Sequence, residues 1–169
     1  MKNHNLGIST IEASAVFNDL SSEEKGMLAV LSEEIEYKKG SKIFSMDQVG
    51  DQHFYIVCSG RLSLALKGRK GIAKELVKGD LFGEIAVFSQ QHRLGTIECK
   101  EDSLLMAFDK DKILNHDLLS SQVALKICIA LTKKITEYFY SEDNISTIEL
   151  IQRGEGETIK LKKSLNEHS

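Results

Sequence analysis

Between residues 35 and 109 the chain is interrupted every few residues by glycine, at Gly40, Gly50, Gly60, Gly68, Gly71, Gly79, Gly83 and Gly95. The runs between these breaks, residues 42–44, 54–57, 62–66, 72–77, 96–99 and 104–108, are short and either apolar or alternating. A period of two sends successive side chains to opposite faces of a strand. Strands this short, with turn signals this regular, pack as a sandwich or a barrel. Many short strands leave many edges, and a double-layered jelly roll closes most of them. The chain has no proline, so its turns rest on Gly, Asn, Asp and Ser.

On either side of this region the period is helical. Ser9-Thr10-Ile11-Glu12 and Ser21-Ser22-Glu23-Glu24 both have the spacing of a capping box, and Met27, Leu28 and Leu31 follow the second at helical intervals. Residues 118–140 predict the longest helix. Gln122, Lys126, Lys133 and Glu137 fall on one narrow polar stripe, which leaves an apolar arc of roughly 220° at about 100° per residue. That arc is wider than docking on one surface requires, so one flank is expected on the barrel and the other against a protein partner or a second copy, as a homodimer through residues 118–140.

The expected architecture is mainly β with flanking helices. It has a helical segment at 1–33, a double-stranded β-helix (jelly roll) of about eight strands at 34–109, a long C-terminal helix within 110–140, and a tail at 141–169. The tail is read as flexible or as a hairpin around Gly154-Glu155-Gly156.

With 169 residues, 41% of them hydrophobic, the chain can bury one full core and does not need a second. Its net charge of −3 is the wrong sign for gripping a phosphate backbone, so no nucleic acid is expected. The short basic clusters Lys67-Gly68-Arg69-Lys70 and Lys160-Leu161-Lys162-Lys163 read as solvated turns or tails, and the residues after Tyr140 are too few for a winged DNA-binding domain. The most hydrophobic window, residues 123–131, is short and is interrupted by Lys126, so no membrane span is expected. Cys58, Cys99 and Cys128 are odd in number and widely spaced, as reduced thiols of a cytoplasmic protein would be. No histidine pair has metal-ligand spacing, and no serine or cysteine has a neighbouring base, so neither a metal centre, a catalytic cofactor nor an enzyme is expected.

The chemistry concentrates in Phe82-Gly83-Glu84-Ile85-Ala86-Val87-Phe88 and in Arg93, nine positions after Glu84. A residue without a Cβ lets a ligand approach the backbone, and the unpaired amides of a short helix attract an anion. Gly83 and the amides of Ile85 and Ala86 are placed for this. Arg93 supplies a planar fork for two phosphate oxygens, and Glu84, when ionised, accepts from a sugar hydroxyl. Ile85, Val87 and Phe88 are expected to anchor the helix and keep the pocket dry. The combination suits a ligand with one phosphate charge and a free ribose hydroxyl. The competing reading pairs Glu84 with Arg93 and leaves no ligand.

Phe82-Gly83-Glu84-Ile85-Ala86 followed by Arg93-Leu94-Gly95-Thr96-Ile97 resembles the phosphate-binding cassette of the cyclic nucleotide-binding domain family, which includes bacterial catabolite activator proteins and the regulatory subunits of cyclic-nucleotide-dependent kinases. The resemblance extends over about residues 15–140, through Gly40 before Ile43-Phe44, Gly50-Asp51 before residues 54–57, Ser59-Gly60 and Gly79-Asp80. It implies a regulatory module without catalysis that binds a cyclic mononucleotide at Gly83, Glu84, Ile85, Ala86, Arg93 and the backbone of Leu94. It also implies output through the C-terminal helix, with Tyr138, Phe139 or Tyr140 capping the purine. Leu94 has no hydroxyl for a guanine-specific contact that some members make, which favours cAMP over cGMP. Asp47 stands where many members have a turn glycine. Arg93→Ala is expected to abolish binding with little loss of fold stability. The alternative is a degenerate jelly roll that recruits a partner and binds no nucleotide.

Overall fold

The computed structural model describes residues 4–66, 71–89 and 92–140. The basic cluster at 67–70 and the tail at 141–169 therefore lie outside the described residues. Eight strands follow one another: β1 (Glu33–Tyr37), β2 (Lys42–Phe44), β3 (His53–Ser59), β4 (Leu62–Leu66), β5 (Lys74–Leu76), β6 (Leu81–Phe82), β7 (Gly95–Cys99) and β8 (Ser103–Asp109). They form two antiparallel four-stranded sheets, in the orders β1-β8-β3-β6 and β2-β7-β4-β5. This is the jelly roll expected from the period-two runs.

β1 and β6 escaped the pattern. β1 reads Glu-Glu-Ile-Glu-Tyr and lies at the edge of its sheet, paired with β8 from Glu33↔Ala107 to Tyr37↔Ser103. Charged side chains are what an edge strand carries to resist further pairing. β6 is only two residues long and pairs with Tyr55 and Ile56.

Two apolar layers hold the structure together. Tyr55, Val57, Leu62, Leu76, Ile97 and Leu105 draw on both sheets and fill the roll. Phe54, Ile56, Cys58, Met106 and Phe108, the alternate positions of β3 and β8, pack instead with helical residues such as Phe17, Leu28 and Ile127. Both faces of β3 are thus covered, and five consecutive residues from Phe54 to Cys58 are buried. Phe54 and Phe108 stack across the ladder with ring centroids 5.0 Å apart.

The helices are α1 (His4–Ala13), α2 (Ser22–Leu31), α3 (Glu84–Ser89), α4 (Lys110–Asn115) and α5 (Ser121–Tyr140), with a 3-10 turn at Ala15–Phe17. Ser9 does not start a helix. It sits inside α1, and its hydroxyl donates to the Leu6 carbonyl at 3.0 Å. Ser21 does cap α2: the Glu24 amide donates to its Oγ at 3.2 Å, and its own amide donates to Glu24 Oε2 at 2.8 Å. Ser21→Ala removes one half of that box and is expected to cost about 1 kcal/mol, a fall of roughly 3 °C in a thermal melt. An unchanged melting temperature would show that the cap is redundant.

The expected long helix is α5, continuous from Ser121 to Tyr140, and the short α4 precedes it. Asp109 caps α4 by accepting from the amides of Asp111 and Lys112, and α5 begins only at Ser121. One side of α5, through Val123, Ile127 and Leu131, joins the helical layer of the core. On another side Leu125 and Ile129 are 60% and 47% exposed. From the polar stripe, Lys126 and Lys133 reach back to Glu24 (2.7 Å) and Asp19 (3.0 Å), tying α5 to the N-terminal segment.

Candidate functional site

A cavity of about 120 Å³ lies between the roll, α3 and α5. Its walls include all six residues singled out in the sequence: Gly83, Glu84, Ile85, Ala86, Arg93 and Leu94. Most of the remaining surface is apolar, from residues such as Leu64, Leu76, Leu81 and Ile97.

Gly83 joins β6 to α3 with φ near +90°, a conformation that side chains disfavour. A Cβ there would also lie 3.1 Å from Arg93 Nη1. The turn sets Glu84 as the first residue of α3. Ala86 and Val87 bury against the body of the protein, whereas Phe88 is 39% exposed. Phe88 is therefore not the anchor that the sequence suggested, because the six-residue helix turns it outward.

Arg93 is held from every side. Its Nη1 donates to the Gly83 carbonyl at 2.9 Å, and its Nη2 donates to Asp51 Oδ1 at 2.7 Å and to the His53 carbonyl at 3.3 Å. The guanidinium carbon lies 4.1 Å from the centroid of the Phe44 ring, a cation–π distance. The backbone is laced as well: the Arg93 amide donates to the Gln48 carbonyl, and the Asp47 amide donates to that of Arg93. Asp47 reaches this position with φ near +63°, the left-handed conformation that Asp tolerates better than most residues.

The Arg93 side chain is only 2% exposed. This corrects the expectation that its removal spares the fold: the residue is part of the structure. A guanidinium has five N–H donors, so among the described contacts the Nε–H and one Nη1–H remain for a ligand.

Among the described residues no ion pair joins Arg93 to Glu84. Glu84 is 6% exposed, and burial pushes its carboxyl above the usual carboxylate range. The opposing influences are its own backbone amide and then the positive charges of Lys134, Lys74 and Arg93. Tyr55 stacks on Phe82 at 5.3 Å, and burial, aided by the Asp51 charge, pushes its phenol up to about 12. Tyr55 therefore stays neutral in the core of the roll behind the site.

Asp51, Phe44, Lys74 and Lys134 were not singled out in the sequence. Asp51 read only as a turn residue, and it meets Arg93 across 42 positions of chain, a distance that no local spacing encodes. The side chains of Tyr138, Phe139 and Tyr140 lie outside the described residues. Among the described residues no group of three or more His, Cys, Asp or Glu is arranged to hold a metal ion, and no helix is long and apolar enough to cross a membrane.

The family model for the cyclic nucleotide-binding domain matches residues 34–116. The chain is 38% identical over 113 residues to a cAMP-dependent protein kinase regulatory subunit of Debaryomyces hansenii, covering 63% of this chain and 24% of that protein. It spans about a quarter of the length of the kinase regulatory subunits it matches first. Among solved structures, a cyclic nucleotide-binding domain from Methylobacillus flagellatus superposes with a TM-score of 0.69 at 16% identity, over 92% of this chain and 86% of that one. The regulatory domain of Toxoplasma gondii PKA, solved with cAMP, gives a TM-score of 0.65 at 19% identity, over 80% of this chain and 50% of that one. At these identities the superpositions establish the fold.

Proposed function

Because residues 34–116 belong to the cyclic nucleotide-binding domain family, we propose that this chain is a cytoplasmic, non-catalytic receptor for a cyclic mononucleotide, with cAMP preferred over cGMP. In this reading the core at 34–109 holds the ligand, and the helices at 110–140 pass its presence to a protein partner or a second copy. The observation that carries it is the convergence of the Gly83 turn, Glu84 and Arg93 on one largely apolar cavity beside α5. Arg93 and the amides at the start of α3 take the cyclic phosphate. Glu84 takes the ribose hydroxyl, and the apolar walls take the base. The exposed Leu125 and Ile129 on α5 are the surface through which assembly would be read.

One observation favours a second reading. Arg93 already donates three hydrogen bonds within the protein, as a purely structural arginine would, and the roll then serves only to present α5. Equilibrium titration of the purified protein separates the two. Receptor function predicts saturable binding of cAMP, weaker binding of cGMP and none of 5′-AMP. Absence of binding by either cyclic nucleotide, to a folded protein shown to be ligand-free, favours the second reading.

A further inference from the structure

The first residue of β3, His53, stands directly opposite Asp109 across the ladder to β8. Its imidazole lies between two carboxylates: Nδ1 is 3.6 Å from Asp51 Oδ1, and Nε2 is 3.8 Å from Asp109 Oδ2. Both carboxylates are fixed from elsewhere. Asp109 Oδ1 accepts from the amides of Asp111 and Lys112 at the start of α4. Asp51 Oδ1 accepts from the His53 amide at 2.8 Å and from Arg93 Nη2 at 2.7 Å. The same oxygen of Asp51 therefore faces both the imidazole and the guanidinium. Of the neighbouring titratable groups, Tyr55, its ring 6.4 Å away on the same strand, stays neutral. Lys110, the residue after Asp109, directs its ammonium to the Val87 carbonyl at 3.5 Å.

A neutral imidazole carries one N–H and can serve one of these carboxylates, whereas a protonated one carries two and serves both. Histidine is the side chain whose charge changes nearest neutral pH, and with 35% of its side chain exposed His53 exchanges protons with solvent. Neutral, it leaves Asp51 to Arg93. Protonated, it competes for the shared Oδ1 and adds a positive charge beside the arginine. We propose that His53 is a proton-linked positioning residue for Arg93: its protonation between Asp51 and Asp109 frees part of the guanidinium's charge for an anionic ligand, so that the cyclic nucleotide binds more tightly as pH falls. The inference rests on the receptor reading of the site and gives that site a response to pH. Because the protonated protein holds the anion better, binding takes up protons and affinity rises with acidity. Glu84 works with the opposite sign, since its protonation removes the charged acceptor. The quantity to read at each pH is therefore the dissociation constant of a variant divided by that of the wild type.

The test is titration of cAMP into the wild type, His53→Gln, Asp109→Asn and His92→Gln at pH 8, 7 and 6, each shown to be folded by its melting curve. His53→Gln leaves in place the backbone carbonyl that receives Arg93. Its ratio is expected to rise roughly two- to fivefold from pH 8 to pH 6, the range of a partly exposed ion pair. Asp109→Asn keeps a capping side chain for α4 but removes one of the two anions that hold the protonated ring, so its ratio should rise by less. His92→Gln alters an exposed imidazole one residue from Arg93, and its ratio should stay level. A level ratio for His53→Gln, or an equal rise for His92→Gln, would overturn this inference and leave the receptor reading standing. Failure of the wild type to bind cAMP at all three pH values would overturn both.

Discussion

Arg93→Ala is expected to lose cyclic nucleotide binding and to lower the stability of the ligand-free protein at the same time. The substitution removes a guanidinium that fills a 2%-exposed site and strands three acceptors: the Gly83 carbonyl, the His53 carbonyl and the Asp51 carboxylate. It also leaves the face of Phe44 without its cation. Breaking a buried ion pair from one side costs about 3–5 kcal/mol. Asp51 is 47% exposed and its orphaned charge is solvated, so the lower end applies, about 3 kcal/mol, or roughly 10 °C in a melt. Arg93→Lys keeps the charge but not the planar fork, and is expected to be less destabilised while still binding poorly. A variant Arg93→Ala that melts with the wild type would show that the Asp51–Arg93–Gly83 linkage carries no stability. One that binds cAMP normally would remove Arg93 from the site.

Glu84→Gln is expected to move stability and binding in opposite directions. Burial raises the Glu84 carboxyl above its ordinary value of 4.5. Between that value and the raised one the folded protein holds more protons than the unfolded chain. Stability contributed by the neutral carboxyl is therefore present at low pH and lost as pH rises through the window, and the loss persists at neutral pH. Glutamine is neutral and nearly isosteric. The variant should be more stable than the wild type at pH 7, with the gap closing as pH falls toward 4.5 and below. Its amide no longer offers a charged acceptor to the ribose hydroxyl, so binding should weaken on the order of 10- to 100-fold, the range of a hydrogen bond to a charged group. Melting curves from pH 4 to 8 beside titrations at pH 7 check both halves. A variant no more stable than the wild type at pH 7 would mean that the ionised carboxylate is better accommodated than its burial implies.

Such opposing effects would account for a buried carboxylate in a largely apolar wall. Its burial burdens the free protein, and on the receptor reading a hydroxyl donor offsets that cost. Arg93 follows a different rule: its contacts serve the fold, and on the receptor reading it serves the site as well.

How much of this was legible beforehand depends on whether the signal was local. The turn glycines, the period-two runs and the capping box at Ser21 each involve residues a few positions apart, and the strands β2, β4, β7 and β8 fall within a residue or so of the runs that announced them. β1 was hidden because its three glutamates suit an edge that needs no alternation. Ser9 was misread because its spacing to Glu12 matches a cap, but the helix begins before it, and a serine within a helix bonds backward to the preceding turn instead. In the site, Gly83, Glu84 and Arg93 lie on a short stretch and were readable. The partners of Arg93 were not, because Phe44, Asp51 and His53 reach it only through the closure of the roll. Lys134 was invisible for the same reason: the helical period sets it about 100° from Lys133, off the polar stripe, and only the seating of α5 turns that side to the cavity.

The most direct test of the account is a thermal-shift comparison of the ligand-free wild-type protein with cAMP, cGMP, cyclic di-GMP and 5′-AMP. A ligand at a hundred times its dissociation constant stabilises a fold by about 2.7 kcal/mol, roughly 5–10 °C for a chain of this size. The account predicts a rise of that order with cAMP, a smaller one with cGMP, and none with cyclic di-GMP or 5′-AMP. An unmoved melting temperature with both cyclic mononucleotides would contradict it and leave the cavity without the ligand its residues were read to hold.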